Sequence, residues 1–259
     1  MSIDFNLNDD GIAVITINRP ERLNAMDAEH YAGLSAAWTR VRDDDDVRVA
    51  IITGAGEKSF SVGADIKSFL QRKITFADNW KTQTDMLLNR GLEVWKPVIA
   101  GINGYALGGG VTLMLATDIR VACASATFNV AEVKRGVIAG NGGTQRLVRQ
   151  LPHAIAMELL LTGDTITAAQ AERWGLINQI VPTAADVLPA AMAYARRIAE
   201  NAPLAVQATK ELAIRSRSLP LSEGIRMEML ANRMLTYTED AAEGPAAFKE
   251  KRKPNFKGR

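Results

Sequence analysis

The glycine run at residues 108–110 is the stretch around which the chemistry of this sequence would be organised. It follows an apolar, strand-like run that begins at Lys96 and turns through Asn103-Gly104, and it leads into residues 111–116, which are typical of a helix. Glycine lets a backbone approach a ligand closely, and the first N–H groups of a helix have no partner within it. These N–H groups, at the positive end of the helix dipole, suit an anion or a developing oxyanion, with a tight turn as the alternative interpretation.

A second glycine-rich loop lies upstream, in residues 51–67. It begins as a strand and ends in Gly63-Ala64-Asp65-Ile66-Lys67, at the start of a predicted helix. Two loops from separate parts of the chain can each supply one backbone donor, which is what an oxyanion hole requires.

Glu132 is the candidate acid or base. It stands among apolar residues in the stretch 127–136, where a carboxylate is costly unless it has a partner or a purpose. The partner could be Lys134, Arg135 or Arg146. The loop that follows, residues 138–146, is again rich in glycine and could cradle a phosphate, but it lacks the Gly-Lys-Ser/Thr ending of a nucleotide P-loop.

Several motifs occur together in one order along nearly the whole chain, and in that order they resemble the crotonase superfamily, the enoyl-CoA hydratases and isomerases. They are Asn18-Arg19-Pro20 with Leu23-Asn24-Ala25, Gly63-Ala64-Asp65-Ile66-Lys67, residues 96–110, Gly142-Gly143-Thr144-Gln145-Arg146-Leu147, Leu161-Thr162-Gly163 and Lys251-Arg252-Lys253. The resemblance implies an α/β fold, a crotonase-like spiral of ββα units over residues 1–200. A C-terminal helical region, residues 201–259, would pack between subunits in homotrimers or dimers of trimers.

The resemblance also assigns roles at a candidate site. The N–H groups of Ala64 and Gly109 would hold a thioester oxygen, and Glu132 would move a proton to or from the neighbouring carbon. Hydratases of the family carry another glutamate two residues after the triple glycine, and this chain has Thr112 there. A two-glutamate hydration mechanism therefore does not carry over, and isomerisation through the single glutamate is an equal expectation.

Smaller departures from the family pattern surround Thr112. Gly140 takes the position of an additional aspartate in dienoyl-CoA isomerases, which counts against that activity, and its N–H is expected to bind a water. Asn141 adds a polar amide close to the expected place of the water or the acyl chain.

Coenzyme A, as the carrier of the substrate, would lie over two loops, and no permanently bound cofactor is expected. The residues that the resemblance assigns to it are Arg22, Leu23, Val62, Ala64, Asp65 and Ile66. Lys251 matches a position that reaches the CoA phosphates of a neighbouring subunit, with a solvated basic tail as the alternative. Residues 68–95 would shape the acyl pocket.

The elements that must position these residues can be read from periodicity. Residues 12–17, 47–53 and 118–122 are apolar and predict strands, and their alternation with helices favours an α/β core. Asp27 is placed to cap a helix, and Thr167-Ala-Ala-Gln170 has the form of a capping box. In the C-terminal part, Met227, Leu230, Met234 and Tyr237 form an apolar stripe that something must cover.

Composition excludes several classes. The chain has 259 residues, 47% of them hydrophobic, which is enough for a sizeable core. A net charge of +2 gives no support to nucleic acid as the main partner. The single cysteine, Cys123, excludes an intrachain disulfide and fits a reducing cytosol, and no signal peptide or membrane span is predicted.

Other catalytic and metal sites have little support. Neither His30 nor His153 accompanies a Gly-x-Ser-x-Gly motif, no Cys/His set has zinc spacing, and the glycines do not form a dinucleotide fingerprint. The acidic run 43–46 is interpreted as a solvated turn and not as a metal site.

Together with the resemblance, the sequence therefore predicts a cytoplasmic lyase or isomerase of the enoyl-CoA hydratase/isomerase type. Such an enzyme would act in fatty acid metabolism. The alternatives are another enolate reaction on a CoA thioester, such as hydrolysis, decarboxylation or retro-aldol cleavage, or a CoA- or RNA-binding relative without activity.

Overall fold

A computed structural model describes residues 2–70 and 86–259 of the chain. The strands in these ranges are β1 Ile3–Leu7, β2 Ile12–Ile17, β3 Val49–Gly54, β4 Ser59–Ser61, β5 Val98–Ile102, β6 Tyr105–Leu107, β7 Ile119–Cys123, β8 Thr127–Asn129, β9 Ile166–Thr167 and β10 Gln179–Val181. The α-helices are α1 Ala28–Asp43, α2 Ile66–Leu70, α3 Gly109–Met114, α4 Gly143–Gln150, α5 His153–Thr162, α6 Ala168–Arg173, α7 Val187–Ala199, α8 Pro203–Arg215, α9 Leu221–Leu235 and α10 Glu239–Glu250. Most of the segment 68–95, predicted to shape the acyl pocket, lies outside the described residues.

The larger sheet has six strands in the order β1-β2-β3-β5-β7-β10. β1 pairs antiparallel with β2, and the remaining neighbours are parallel. Every residue of β3 and β5 is buried, as expected for parallel strands that are covered on both faces. The predicted strands are confirmed, with β3 beginning two residues later than expected, at Val49.

Helix α7 covers one face of this sheet. Its Ala191 and Ala195 are fully buried against Ile51 and Ile99, because alanine lets the helix axis come close to the strands. Before the helix, the Thr183 hydroxyl and the Asp186 carboxylate form a capping box. The capping box thus precedes the helix directly, and the small residues of its buried face set how closely it packs on the sheet.

The smaller sheet positions the candidate site. Its order is β4-β6-β8-β9, and β4, β6 and β8 are parallel neighbours. Parallel strands end at the same edge of a sheet. The three segments that follow β4, β6 and β8 are the loop at Gly63, the glycine run at Gly108 and the turn that carries Glu132. Topology thus brings together three stretches that are far apart in sequence.

Buried amide side chains tie together the segments that lead into this sheet. Asn103 accepts a hydrogen bond from the N–H of Gly54 and donates to the carbonyls of Gly54 and Gly56 at 2.9 and 2.6 Å. Asn24 donates to the carbonyl of Ser59 at 2.7 Å. Both amides are buried, so the backbone groups that they satisfy depend on them.

The three C-terminal helices α8–α10 carry much of the exposed apolar surface. Met229, Leu230, Met234 and Tyr237 are exposed by 51–89% of their surface. The chain end is fixed by Asp240, whose carboxylate accepts from the N–H groups of Lys257 and Gly258 at 2.6 and 2.8 Å. Within the described ranges, no helix is both long enough and apolar enough to cross a membrane. The division at residue 200 stays a prediction.

Candidate active site

The two glycine loops touch backbone to backbone. A Cβ added to Gly63 would lie 2.5 Å from the Gly109 nitrogen, and one added to Gly109 would lie 3.4 Å from the Ala64 nitrogen. Gly63 also has a φ of +86°, in the region that L-residues rarely adopt. Only glycine at position 63 allows the two loops to approach this closely.

Two amides converge at this contact. In the described part of the chain, the N–H groups of Ala64 and Gly109 meet no hydrogen-bond acceptor. Their directions are nevertheless fixed, because the carbonyl of each peptide unit is engaged. Gly63 O accepts from Met26 N–H at 2.8 Å, and Gly108 O accepts from Thr112 N–H at 3.1 Å. The pair is suited to hold one oxyanion.

Glu132 lies beside the same glycine run. It belongs to a 3-10 helix, Ala131–Arg135, which follows β8, and its Oε1 lies 3.2 Å from the place of a Cβ on Gly108. Its Oε2 is buried and has no hydrogen-bond partner among the described residues. Burial raises the pKa of the Glu132 carboxyl above its ordinary value, and a backbone hydrogen bond and the charge of Arg135 offset part of that rise.

The alternative, a structural ion pair for Glu132, is not what the described residues form. Lys134 pairs with Asp164 at 3.1 Å. Arg146 donates to the carbonyls of Asn89 and Asn141 at 2.9 and 3.3 Å. A buried carboxylate oxygen without a partner is a costly group to retain, and this places Glu132 among the candidates for a reacting group.

Thr112 is buried one helical turn after the glycine run. Its hydroxyl donates to the carbonyl of Gly109 at 3.0 Å and accepts from the side-chain amide of Asn89 at 3.3 Å. Its methyl group lies close to Gly143, where an added Cβ would come within 2.9 Å of Cγ2. The position of the family's first glutamate is therefore occupied by a neutral, hydrogen-bonded pair.

The third glycine loop packs against this pair. The Gly140 N–H, expected to bind a water, instead donates to the carbonyl of Ile138 at 2.8 Å, so this donor is already engaged. Asn141 adopts a left-handed φ of 52°, and its side-chain oxygen accepts from Arg90 Nε at 2.8 Å. The Gly140 N–H and the Asn141 side-chain oxygen are therefore both engaged within the protein.

A comparison with protein-family models matches residues 8–259 to the enoyl-CoA hydratase/isomerase family. The chain belongs to this family. Curated relatives include an (E)-benzylidenesuccinyl-CoA hydratase of Thauera aromatica, 45% identical over 95% of this chain and 96% of that protein. A carnitinyl-CoA dehydratase of Salmonella enteritidis is 40% identical over all of both chains.

Solved structures of the family have the same fold. An enoyl-CoA hydratase from Bacillus anthracis superposes with a TM-score of 0.92 at 35% identity, over 100% of both chains. One from Mycobacterium marinum gives a TM-score of 0.89 at 39% identity, over 100% of this chain and 99% of that one. The predicted crotonase-like fold and its assignment to an enzyme that acts on CoA thioesters are confirmed.

On the side expected to hold CoA, the two predicted loops are neighbours. Leu23 O accepts from the N–H of Val62 at 3.3 Å and from the hydroxyl of Ser59 at 2.9 Å. Arg22 and Ile66 are exposed. Their roles stay predictions.

Asp65 is engaged within the protein, since Arg19 Nη1 donates to its Oδ2 at 2.9 Å. Although desolvation acts to raise the pKa of the Asp65 carboxyl, the hydrogen bonds from Arg19, Lys67 and Ser68 hold it below its ordinary value. Lys251 is the C-cap residue of α10, with a φ of 55°, and its side chain is exposed.

Two residues of the site were not anticipated from the sequence. Asn89 lies in a stretch without periodicity, and no motif marks it. Arg120 is buried, and its guanidinium donates to the carbonyls of Met114, Thr117 and Leu176 at 2.9–3.0 Å, which closes the C-terminal end of α3. Burial lowers the pKa of Arg120 to about 10.

In the ranges 2–70 and 86–259, no three His, Cys, Asp or Glu side chains group to hold a metal.

Proposed function

We propose that this enzyme adds water to the double bond of a 2-enoyl-CoA thioester and removes it in reverse. The names of the curated relatives support this choice, because one is a hydratase and the other a dehydratase of a CoA ester. The observation that carries the proposal is the buried, unpartnered carboxylate oxygen of Glu132 beside the glycine run that bears the Gly109 amide.

In the proposed reaction, the thioester oxygen accepts hydrogen bonds from the N–H groups of Ala64 and Gly109. Attack at the β-carbon moves charge onto this oxygen, so the two donors stabilise the enolate more than the substrate. Removal of one such donor in a comparable site lowers kcat by about 10²–10³. Both donors belong to the backbone, so their effect depends on loop geometry and not on the side chain at position 64.

Glu132 supplies the proton transfer. As the water oxygen bonds to the β-carbon, the carboxylate takes one proton from the water and passes it to the α-carbon, which regenerates the carboxylate. The raised pKa of the Glu132 carboxyl strengthens its carboxylate as the base that takes the proton of the water. The product is the 3-hydroxyacyl-CoA thioester.

The first experiment is product analysis in deuterated water with crotonyl-CoA, 3-hexenoyl-CoA and carnitinyl-CoA. Hydration of crotonyl-CoA or dehydration of carnitinyl-CoA supports the proposal. Glu132→Gln should lower turnover about 10²–10⁴-fold, the range for loss of an acid–base group. The matched control is Glu158→Gln at an exposed glutamate of α5, which should turn over normally. Unchanged turnover in Glu132→Gln would refute the role of this residue.

A second candidate is the shift of a double bond from the 3- to the 2-position. The observation in its favour is Thr112, because one glutamate can carry a proton between two carbons without a water-binding carboxylate. Conversion of 3-hexenoyl-CoA to the 2-enoyl thioester without hydration of any substrate would favour this candidate over water addition.

The proposal extends to the binding of CoA and to the oligomeric state. CoA would lie over Arg22, Leu23 and residues 62–66, with Lys251 contributing to the phosphates bound by a neighbouring subunit. The exposed apolar face of α9 supports a homotrimer or a dimer of trimers, which light scattering of the purified protein would test. The buried free thiol of Cys123 is in keeping with a cytoplasmic enzyme.

A further inference from the structure

Asn89 is a buried polar residue that no part of the proposed reaction yet uses. It lies in the 3-10 helix Leu88–Arg90 and is 6% exposed. Its side-chain amide reaches Thr112 Oγ1 at 3.3 Å, at the position where the family's hydratases carry their first glutamate.

The donors and acceptors of Thr112 and Asn89 fix which way the amide faces. A hydroxyl has one proton, and that of Thr112 is directed to the carbonyl of Gly109. The hydroxyl can therefore only accept from Asn89, which requires the NH₂ group of Asn89 to face it. The other end of the amide, Oδ1, has no partner among the residues that the structure describes. One carbonyl oxygen is thus left as a fixed acceptor beside Thr112.

Asn89 is also held from behind. Its backbone carbonyl accepts from Arg146 Nη1 at 2.9 Å, and the same nitrogen reaches the carbonyl of Asn141 at 3.3 Å. The guanidinium therefore ties the 3-10 helix to the third glycine loop. An acceptor held in this way loses little entropy when it binds a small molecule.

We propose that Asn89 Oδ1 accepts one hydrogen of the reacting water, in the place of the family's first carboxylate. The other hydrogen of the water faces Glu132. This inference rests on the proposed function. As the oxygen bonds to the β-carbon, the proton facing Glu132 travels through the carboxylate to the α-carbon, and the hydrogen held by Asn89 stays on the product hydroxyl.

An amide is neutral and a weak base, so Asn89 orients the water and leaves proton transfer to Glu132. Within the described residues, the proposed site then contains one titrating carboxyl. A two-glutamate site contains two. This difference gives the inference a signature that a merely structural asparagine would not have.

The experiment compares two reactions of the same variants. One is hydration of crotonyl-CoA. The other is exchange of the α-hydrogens of butyryl-CoA in deuterated water, which needs the oxyanion donors and Glu132 but no water addition. Asn89→Leu should lower kcat for hydration about 10–100-fold and leave the exchange rate within about threefold. Asn201→Leu, at an exposed asparagine, is the matched control.

A second variant keeps the test decisive if Asn89→Leu does not fold. Asn89→Asp retains an acceptor and should retain hydration, but it should add a second ionisation to the pH profile of kcat/KM. An unchanged profile in Asn89→Asp overturns the inference. So does an equal loss of hydration and exchange in Asn89→Leu, because Asn89 would then act only as a support for α3.

The outcomes separate this inference from the proposed function. If the unaltered protein hydrates crotonyl-CoA and Asn89→Leu does so equally fast, the assignment to Asn89 fails and the function stands. If the unaltered protein exchanges α-hydrogens but adds water to no thioester, the proposed function fails and the inference fails with it.

Discussion

Gly63→Ala tests the two-loop oxyanion hole directly, because the added methyl would point at one of its donors. The new Cβ would lie 2.5 Å from the Gly109 nitrogen. Ordinary contact begins at 3.4 Å, so the two loops would have to separate by 0.9 Å to reach it, the difference between these two distances. A misplacement of about 1 Å can lower a rate about 10²-fold, which is also the lower range for loss of one oxyanion donor. We expect kcat to fall about 10²-fold.

Gly175→Ala is the matched control for backbone strain. Gly175 has a φ of +74°, close to the +86° of Gly63, but a Cβ there would meet nothing within 4 Å. Both variants should lose about 1–2 kcal/mol from the positive φ, and only Gly63→Ala should lose kcat. Thermal unfolding measures the first effect, and steady-state hydration of crotonyl-CoA measures the second.

Binding of butyryl-CoA by calorimetry completes the comparison, since a saturated ester develops no enolate charge on binding and should bind both variants. The proposal of a two-loop oxyanion hole is refuted if Gly63→Ala folds, binds butyryl-CoA and has a kcat within about threefold of that of Gly175→Ala.

Three further predictions concern the buried charges. In the proposed reaction Glu132 acts as a carboxylate, and burial raises its pKa, so kcat/KM for hydration should fall along one limb as pH decreases through that raised pKa. A bell-shaped profile from two site carboxyls would contradict a single titrating group. The same raised pKa means that folding favours the protonated form of Glu132, so the folded state loses stability as pH rises through the folded-state pKa. Glu132→Gln should therefore raise Tm at about pH 8 and leave it nearly unchanged at about pH 4. An equal change in Tm at both pH values would refute burial as the cause. Arg120→Met should lower the free energy of unfolding, measured by chemical denaturation, by about 3 kcal/mol or more, because several buried carbonyls lose their donor. The control Lys253→Met, at a side chain 89% exposed, should change it by less than about 0.5 kcal/mol. Similar values for the two variants would show that the carbonyls find other partners.

Much of the fold follows from local rules that the sequence displays. Asp27 caps α1 by accepting from the N–H groups of Glu29 and His30, and Thr167 with Gln170 forms the expected capping box. Such caps and the apolar period of α7 are short-range features, so they can be recognised without knowledge of the rest of the chain. The helix after the triple glycine was misplaced by two residues, since α3 begins at Gly109, within the glycines.

The site was less accessible to prediction because its decisive contacts are long-range. Glu132 and the two glycine loops were anticipated through a resemblance of motifs, and their meeting depends on the parallel order of β4, β6 and β8. Nothing local marks Asn89, which lies 23 residues from its partner Thr112. Likewise, the engagement of the Gly140 N–H by Ile138 depends on the path of a loop that sequence patterns do not specify.

The distribution of function between backbone and side chains explains how this chain can lack one family glutamate and keep a reactive arrangement. The proposed oxyanion donors are peptide groups, whose directions are set by Met26 and by the first turn of α3. Changes of side chain at position 112 leave these hydrogen bonds in place, because the Thr112 N–H makes its bond whatever side chain it carries. Enolate stabilisation is therefore a property of the fold in this proposal. The fate of the enolate is set by the few side chains around it, here Glu132, Thr112 and Asn89. The change at position 112 therefore acts mainly on how the water is held, and less on the activation of the thioester.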